Sequence, residues 1–501
     1  MRRVLLLFLA AALAGCGAAS DTPAPADDPT RLNIVFVLTD DLRADDIEFM
    51  PNVLQMAREG ASFSNYIVSN SLCCPSRASI HTGQLPHNTG VLTNSPPRGG
   101  NKVYEKSGAV DRSFANTLRN RGYRTALFGK YLNGYNAGRS GVPPGWTDWA
   151  ASARAYQGFD YTLNVNGTPR QYGEQPEDYM TDVLAERGER FLDESLVDTR
   201  PFFLELSTFT PHLPAVPAPR HVGLFPKLRV PRGPAFNRAV TDAPLWLATR
   251  SRMSRTTIDE VDSRYRNRLR SLVSIDEMVG RVRQRLEALG MTDRTLFVFS
   301  SDNGFHMGER RLLPGKTTAF DEDIRVPLIA VGPGVPAGFT VDALTQNTDL
   351  APTFETLAGQ GPSSFADGRS LVPLLRGQPA PADWRVGALV EHSFEAKAAA
   401  KDPDAQSKNA GKPPTYFALR THRGTYVEYR TGEREFYDSA TDPAQVRNAY
   451  AGLTATEKRD LNGALRSLVT CVGAAQCATL TPPARRAARA AAPGPRRAPR
   501  R

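Results

Sequence analysis

The chain has 501 residues, of which 41% are hydrophobic and 23% charged, the balance of a soluble globular protein with a sizeable core. That length suits two domains, or one large α/β domain with an appendage. The net charge of +10 is concentrated at the ends: Arg485, Arg486, Arg489, Arg496, Arg497, Arg500 and Arg501 supply seven and Arg2 and Arg3 two more, leaving the rest near +1. No basic patch on a folded surface is in view, so nucleic acid is excluded as a partner.

Residues 1–16 read as a signal peptide. Arg2 and Arg3 open it, an apolar run follows, and Leu13-Ala14-Gly15-Cys16 ends on small residues and a cysteine. A plain secretory leader would share most of this pattern. The cysteine resembles that of a bacterial lipobox, in which Cys16 is lipidated and anchors an exported lipoprotein to a membrane of the bacterial cell envelope. Residues 17–31 then read as a flexible tether, and no later stretch is long and apolar enough to span a bilayer.

The run 33–38 is β-branched and apolar, as in a strand buried on both faces, and it ends at Thr39-Asp40-Asp41. Pro51-Asn52 opens a helix that Gly60 stops. A strand over 63–68 leads into Leu72-Cys73-Cys74-Pro75-Ser76-Arg77-Ala78-Ser79-Ile80-His81-Thr82-Gly83, a helix beginning near Pro75. Ser113 caps the next helix, Gly122 ends it, and a strand over 123–128 stops at Gly129-Lys130. Residues 135–175 lack a clear period and read as a long loop over a site. A helix from Asp178 and a strand over 201–206 precede Thr210-Pro211-His212-Leu213-Pro214.

The Pro- and Arg-punctuated stretch 213–256 reads as irregular. Over 258–289, Leu269, Leu272, Val279, Val282, Leu286 and Leu289 recur at three- and four-residue steps, the strongest helical signal in the chain. A strand over 296–299 ends at Ser301-Asp302-Asn303-Gly304; a strand over 326–331 and a helix over 349–357 follow. This alternation predicts an α/β domain over 32–396, with a mostly parallel central sheet flanked by helices. After the polar stretch 397–412, short strands at 417–420, 425–429 and 435–437 predict a C-terminal antiparallel sheet subdomain over 413–477, closed by a helix over 455–469. The basic tail 478–501 builds no core and reads as disordered.

Strand ends of an open α/β sheet collect functional groups, and here they carry Asp40, Asp41, Lys130, His212, Asp302 and Asn303, with Lys316 shortly downstream. Three carboxylates and an amide carbonyl are hard oxygen ligands that suit Ca2+ or Mg2+. A single Asp-Asp pair also serves as a turn or cap; two acidic strand ends in one chain favour a metal. His306, Asp45 and Asp46 read as surface or supporting groups. Lys130, Lys316 and His212 beside a divalent ion call for an anion, and a tetrahedral oxyanion ester fits that need. Among the cysteines, an oxidising compartment pairs Cys471 with Cys477 as a disulfide bond, which leaves Cys73 and Cys74 without a role.

Cys73-Cys74-Pro75-Ser76-Arg77 continuing to Thr82-Gly83 resembles the type I sulfatase signature, C-x-P-S-R followed by T-G. The resemblance extends over roughly 32–470, through Asp40-Asp41, Gly129-Lys130, His212, Ser301-Asp302-Asn303-Gly304, Lys316, Asp323-Ile324-Arg325-Val326-Pro327 and Phe436-Tyr437-Asp438. It implies an alkaline-phosphatase-like fold and hydrolysis of sulfate esters. A formylglycine-generating enzyme would oxidise Cys73 to formylglycine (3-oxoalanine). Asp40, Asp41, Asp302, Asn303 and the modified Cys73 would then coordinate Ca2+, with Mg2+ as the alternative. One hydroxyl of the hydrated aldehyde would attack sulfur and the second would eliminate sulfate; serine lacks that second hydroxyl. Arg77 would hold the hydrate, Lys130 and His212 would bind sulfate, and Lys316 or His212 would protonate the leaving oxygen.

Gly129-Lys130-Tyr131-Leu132-Asn133 resembles the N-acetylglucosamine-6-sulfatase branch and implies sulfated sugars or aryl sulfates as substrates. Many family members carry a histidine where this chain has Leu132, which leaves His306 as the candidate base for elimination. His81 stands where the family usually has an aliphatic residue. Two rivals remain at this stage: a phosphodiester or phosphonate monoester hydrolase of the same superfamily, and a non-catalytic polysaccharide-binding lipoprotein.

Overall fold

A computed structural model describes residues 31–395 and 410–478. The signal peptide, Cys16, the tether up to residue 30, most of the polar stretch after 396 and the basic tail from 479 lie outside the described residues.

A ten-stranded sheet forms the centre, in the order Phe339–Val341, Ala61–Phe63, Leu328–Val331, Thr295–Ser301, Asn33–Thr39, Phe202–Ser207, Arg124–Lys130, Asp148–Ser152, Tyr161–Val165, Thr168–Tyr172. The five strands from Thr295–Ser301 to Asp148–Ser152 run parallel. Leu328–Val331 is antiparallel to its neighbour Thr295–Ser301, so the sheet is mixed at this side. The stretch 135–175 is not a plain loop: it supplies three strands, two of them in a hairpin closed by Asn166-Gly167. Its alternation was weak because Thr168–Tyr172 is an exposed edge strand with no core to face.

Asn33–Thr39 shows why the middle of the sheet is hydrophobic on every residue. Ile34, Phe36 and Leu38 face a core that also holds Ala78, Ile80, Phe114, Leu118 and Phe354. Val35 and Val37 face the other core, built on Val53, Met56, Leu184, Leu269, Leu272 and Val279. The helices Cys73–Thr82, Phe114–Asn120 and Leu350–Leu357 cover one face and Pro51–Glu59, Met180–Val197 and Arg255–Ala288 the other. Each side chain so buried contributes about 1.5–3 kcal/mol. The Arg255–Ala288 helix starts three residues before its apolar stripe because the Ser254 hydroxyl accepts from Thr257 N.

The second sheet is an antiparallel meander of Gly387–His392, Tyr416–Thr421, Gly424–Tyr429 and Arg434–Asp438. Its first strand lies before the polar stretch at 397–412, within the span read as the catalytic domain. Helix Ala455–Val469 begins at a Thr454–Glu457 capping box and packs Leu461, Leu465 and Leu468 onto Leu389, Leu419, Tyr426 and Phe436. Cys471 and Cys477 form a disulfide. The Cys471 carbonyl accepts from Asn88 Nδ2 at 2.9 Å and faces His87 Nε2 at 3.0 Å, while Asp367 Oδ1 accepts from Gly473 N at 2.7 Å. These bonds dock the C-terminal loop onto the large domain. No helix of the described residues is long and apolar enough to cross a membrane.

Candidate active site

Register brings the site together. Thr39 lies opposite Ser301, Leu38 opposite Ser207, and Gly129 opposite Ser207, so four parallel strands end at one edge. Their next residues include Asp40-Asp41, Asp302-Asn303, Thr208 and Lys130. Gly129 has φ +117°, and a Cβ there would lie 1.8 Å from the Ser207 carbonyl oxygen, so only glycine lets this strand deliver Lys130 so closely. Cys73 is the first residue of its helix and points at the same edge, with Pro75 in the first turn where its missing N–H costs nothing.

The Cys73 Sγ lies 3.2 Å from Asp40 Oδ1 and 3.9 Å from Asp41 Oδ1. Lys316 Nζ donates to Cys73 Sγ and to Asp41 Oδ1, both at 2.7 Å. Lys130 Nζ pairs with Asp40 Oδ2 at 2.5 Å and sits 5.1 Å from the Tyr156 ring centre. One helical turn after Cys73, Arg77 Nε donates to Asp302 Oδ2 at 2.7 Å, and its Nη1 donates to Ser207 Oγ at 2.7 Å and to the Lys130 carbonyl at 3.1 Å. Asn303 Nδ2 donates to Asp41 Oδ1 at 2.6 Å. His212 Nε2 stands 3.7 Å from Asp41 Oδ2, with its ring 4.6 Å from Tyr156. Every one of the nine residues read from the sequence as catalytic or metal-binding therefore lies in this one buried cluster.

Two neighbouring cysteines thus receive different environments. Cys74 is buried among apolar side chains, and burial pushes its thiol up to about 12, so it stays protonated. Arg77 is also fully buried; burial alone would lower its pKa, but the carboxylates of Asp302 and Asp40 outweigh that and raise it, so it remains a cation.

The donor set fits a divalent ion. One ligand atom from each of Asp40, Asp41, Cys73 and Asp302 can be chosen so that all four lie within 4.8 Å of one another. Asp41 Oδ2 and Asn303 Oδ1 are buried acceptors with no hydrogen-bond partner among the described residues, a deficit that a cation would fill. Three carboxylates face the three cations Arg77, Lys130 and Lys316. A divalent ion would make the cluster net positive, as an anionic ester requires.

Arg268 escaped the sequence reading. It is fully buried on the long helix, donates Nη2 to the Asp41 carbonyl at 2.5 Å and Nη1 to the Pro211 carbonyl at 2.9 Å, and lies over Phe305. It joins the loop of Asp41, which has φ +69°, to the loop that bears His212. The available signal was an arginine within the apolar stripe of Tyr265, Arg268 and Leu272. Asp46 is buried beside Tyr265 and Arg43, whereas Asp45 pairs with Arg325 at the surface.

His306 does not serve as the base expected from the sequence. Its Nδ1 faces both oxygens of Asp323 at 2.9 and 3.0 Å, and its Nε2 faces the Ala410 carbonyl at 2.9 Å. Neither nitrogen is left to take a proton. Leu132 is fully buried in the apolar core rather than lining the site. His81 is enclosed by Phe114, Tyr131 and Trp146, with Nε2 3.3 Å from Glu205 Oε2. This contact sets the Cys73 helix against the Phe202–Ser207 strand, without a hydrogen bond from either His81 nitrogen.

Comparison with known proteins agrees with this geometry. The family profile described as Sulfatase matches residues 32–360, and one described as N-sulphoglucosamine sulphohydrolase, C-terminal, matches residues 308–469. The N-acetylglucosamine-6-sulfatase of Homo sapiens is 33% identical over 508 residues, spanning 94% of this chain and 89% of that protein. An arylsulfatase of Volvox carteri is 32% identical, spanning 94% of this chain and 79% of that protein. A solved structure in complex with its substrate D-glucosamine-2-N,6-O-disulfate superposes with a TM-score of 0.72 at 26% identity, covering 87% of this chain and 97% of that one. A phosphonate monoester hydrolase from Silicibacter pomeroyi, at 23% identity and a TM-score of 0.67 over 88% of this chain and 94% of that one, shares the fold. With the signature cysteine seated against its acidic cluster, and with matches that run the length of the folded chain, this protein belongs to the sulfatase family.

Proposed function

We propose that this sulfatase removes 6-O-sulfate from glucosamine-type sugars, with Cys73 converted to formylglycine by a separate generating enzyme and Ca2+ held by Asp40, Asp41, Asp302 and Asn303. The observation that carries the proposal is the contact of Cys73 with Asp40, Asp41 and Lys316 in one buried cluster. The 33% identity to N-acetylglucosamine-6-sulfatase and the neighbour bound to a 6-O-sulfated glucosamine support the choice of sugar. The all-oxygen side-chain donors favour Ca2+, whose flexible shell leaves room for substrate oxygens. As formylglycine, residue 73 supplies a hydrated aldehyde with two hydroxyls, one to attack sulfur and one to release sulfate. The cation supplies positive charge for the sulfate oxygens.

The other roles belong to the side chains around residue 73. Lys316 Nζ, at 2.7 Å from the residue-73 sulfur, is placed to give a proton to the departing sugar oxygen. Lys130 and His212 flank the opposite side, next to Tyr156, and attract the sulfate oxygens. Arg77, locked by Asp302 and Ser207, keeps the nucleophile helix in register with the strands. Turnover of N-acetylglucosamine 6-sulfate should exceed that of an N-acetylgalactosamine 6-sulfate and of an aryl phosphate diester by at least about tenfold in kcat/KM. Faster cleavage of the diester would sink the proposal.

From Leu13-Ala14-Gly15-Cys16 we propose in addition that the protein is a lipid-anchored, exported enzyme of the cell envelope. Cys16→Ser should move it from the membrane fraction to the soluble fraction; an unchanged distribution would refute the anchor.

A further inference from the structure

Lys316 reaches the nucleophile from a turn that belongs to no helix or strand. The next residue, Thr317, has φ +82°, a conformation that β-branched side chains adopt only at a cost of about 1–3 kcal/mol. Such a turn persists only where its surroundings hold it. Here Gly315 exchanges backbone hydrogen bonds with His306, His306 N to Gly315 O at 2.8 Å and Gly315 N to His306 O at 3.1 Å. Asp323 Oδ2 accepts from Thr318 N at 2.9 Å and from Thr318 Oγ1 at 2.7 Å. Ser71 Oγ and the Tyr416 hydroxyl donate to the carbonyls of Thr318 and Thr317.

The centre of this support is a pair of fully buried residues. An isolated buried carboxylate at Asp323 would be costly, and His306 contacts both of its oxygens through Nδ1. The Ala410 carbonyl opposite Nε2 can only accept, and so can an ionised Asp323; both ring nitrogens therefore carry hydrogen and the ring is an imidazolium. Burial alone would lower the His306 pKa, but Asp323 outweighs it and the net direction is up. His306 thus ties the turn of Lys316 to Asp323 on one side and to the chain at Ala410 on the other.

We propose that His306 and Asp323 are positioning residues for Lys316: their buried ion pair holds the strained 315–318 turn so that the ammonium lies at the nucleophile. The proposal rests on Lys316 as the leaving-group acid, and it has a consequence that a general loss of stability would not produce. A nitrophenolate leaves without help, whereas an alkoxide needs the proton. Weakening the pair should therefore penalise esters in proportion to the basicity of the leaving group.

The experiment measures kcat/KM on a series of aryl sulfates of rising leaving-group pKa and on N-acetylglucosamine 6-sulfate. The wild type is compared with His306→Gln, Asp323→Asn, Thr318→Ala, Lys316→Ala and the His306→Gln/Lys316→Ala double variant, each normalised to its formylglycine content. His306→Gln and Asp323→Asn should lose roughly 30- to 100-fold on the least activated esters and less than about fivefold on 4-nitrophenyl sulfate. Lys316→Ala should show the same pattern more strongly, and adding His306→Gln to it should cost less than about threefold more. Thr318→Ala, which leaves the ion pair in place and removes the hydroxyl's bonds to Asp323 and Phe320 N, should give a weaker loss with the same dependence. Equal losses across the series, or full additivity in the double variant, would overturn the proposal. A wild type active on the aryl series but inert on the sugar ester would overturn the substrate reading alone, because the pair is judged on the slope of the series.

Discussion

Alanine at position 73 should reduce kcat by roughly 10⁵-fold, whereas alanine at position 74 should leave kcat within a few-fold of wild type. The structure separates two adjacent cysteines that look alike in sequence. Cys73 contacts two carboxylates and a lysine, and Cys74 is fully buried away from them, with burial pushing its thiol up to about 12. Cys74→Ala removes a small buried group, for which about 1–2 kcal/mol of stability is expected to be lost without change at the site. Serine at 73 keeps one hydroxyl and loses the second, so it should give no steady-state turnover. Mass spectrometry of the tryptic peptide containing residue 73 checks the premise directly: in protein made with a generating enzyme it should carry an aldehyde at 73 and an intact thiol at 74. An aldehyde at neither position, in protein that hydrolyses sulfate esters, would remove formylglycine from the mechanism.

The second large effect should follow removal of the divalent ion. Without it, three carboxylates and three cations are matched in the cluster, and nothing favours an added anion. Chelation should therefore lower kcat/KM by at least about 10³-fold, the scale of a lost electrostatic stabiliser. It should also abolish product inhibition by inorganic sulfate at concentrations that inhibit the loaded enzyme. Ca2+ present at about 1,000 times its Kd should add about 4 kcal/mol to the stability of the fold, read as an upward shift in Tm. Asp302→Ala should lose the Tm shift as well as activity, because it removes a ligand and the partner of Arg77 together. A chelated enzyme with undiminished kcat/KM would show that the carboxylates serve another purpose.

The chemistry of the site was legible because it is local in sequence. Each functional side chain directly follows a strand, opens a helix or sits in a short motif, and a run such as 33–38 announces a strand buried on both faces. The helix start at Ser113 was legible from its capping group, whereas the caps at Ser254 and Thr454 emerged only with the structure. The hairpin inside 135–175 was missed since an exposed edge strand has no alternating burial to display. His306 was misread for a different reason: a histidine near a strand end looks like a base until its partners are known, and these, Asp323 and the Ala410 carbonyl, lie 17 and 104 residues further along the chain.

The sequence alone therefore revealed the family, the signature cysteine, the acidic strand ends and the parallel α/β plan, since these depend on residue type and short-range order. Which groups touch followed from long-range packing instead. Long-range register set Lys316 and Lys130 against Cys73 and Asp40, sealed Cys74 and Leu132 in the core, and placed Arg268 beneath two site loops. It also spent His306 on an ion pair. Those outcomes follow from strand pairing and helix packing between segments up to hundreds of residues apart, where burial and charge balance, rather than any local pattern, fix the role of a side chain.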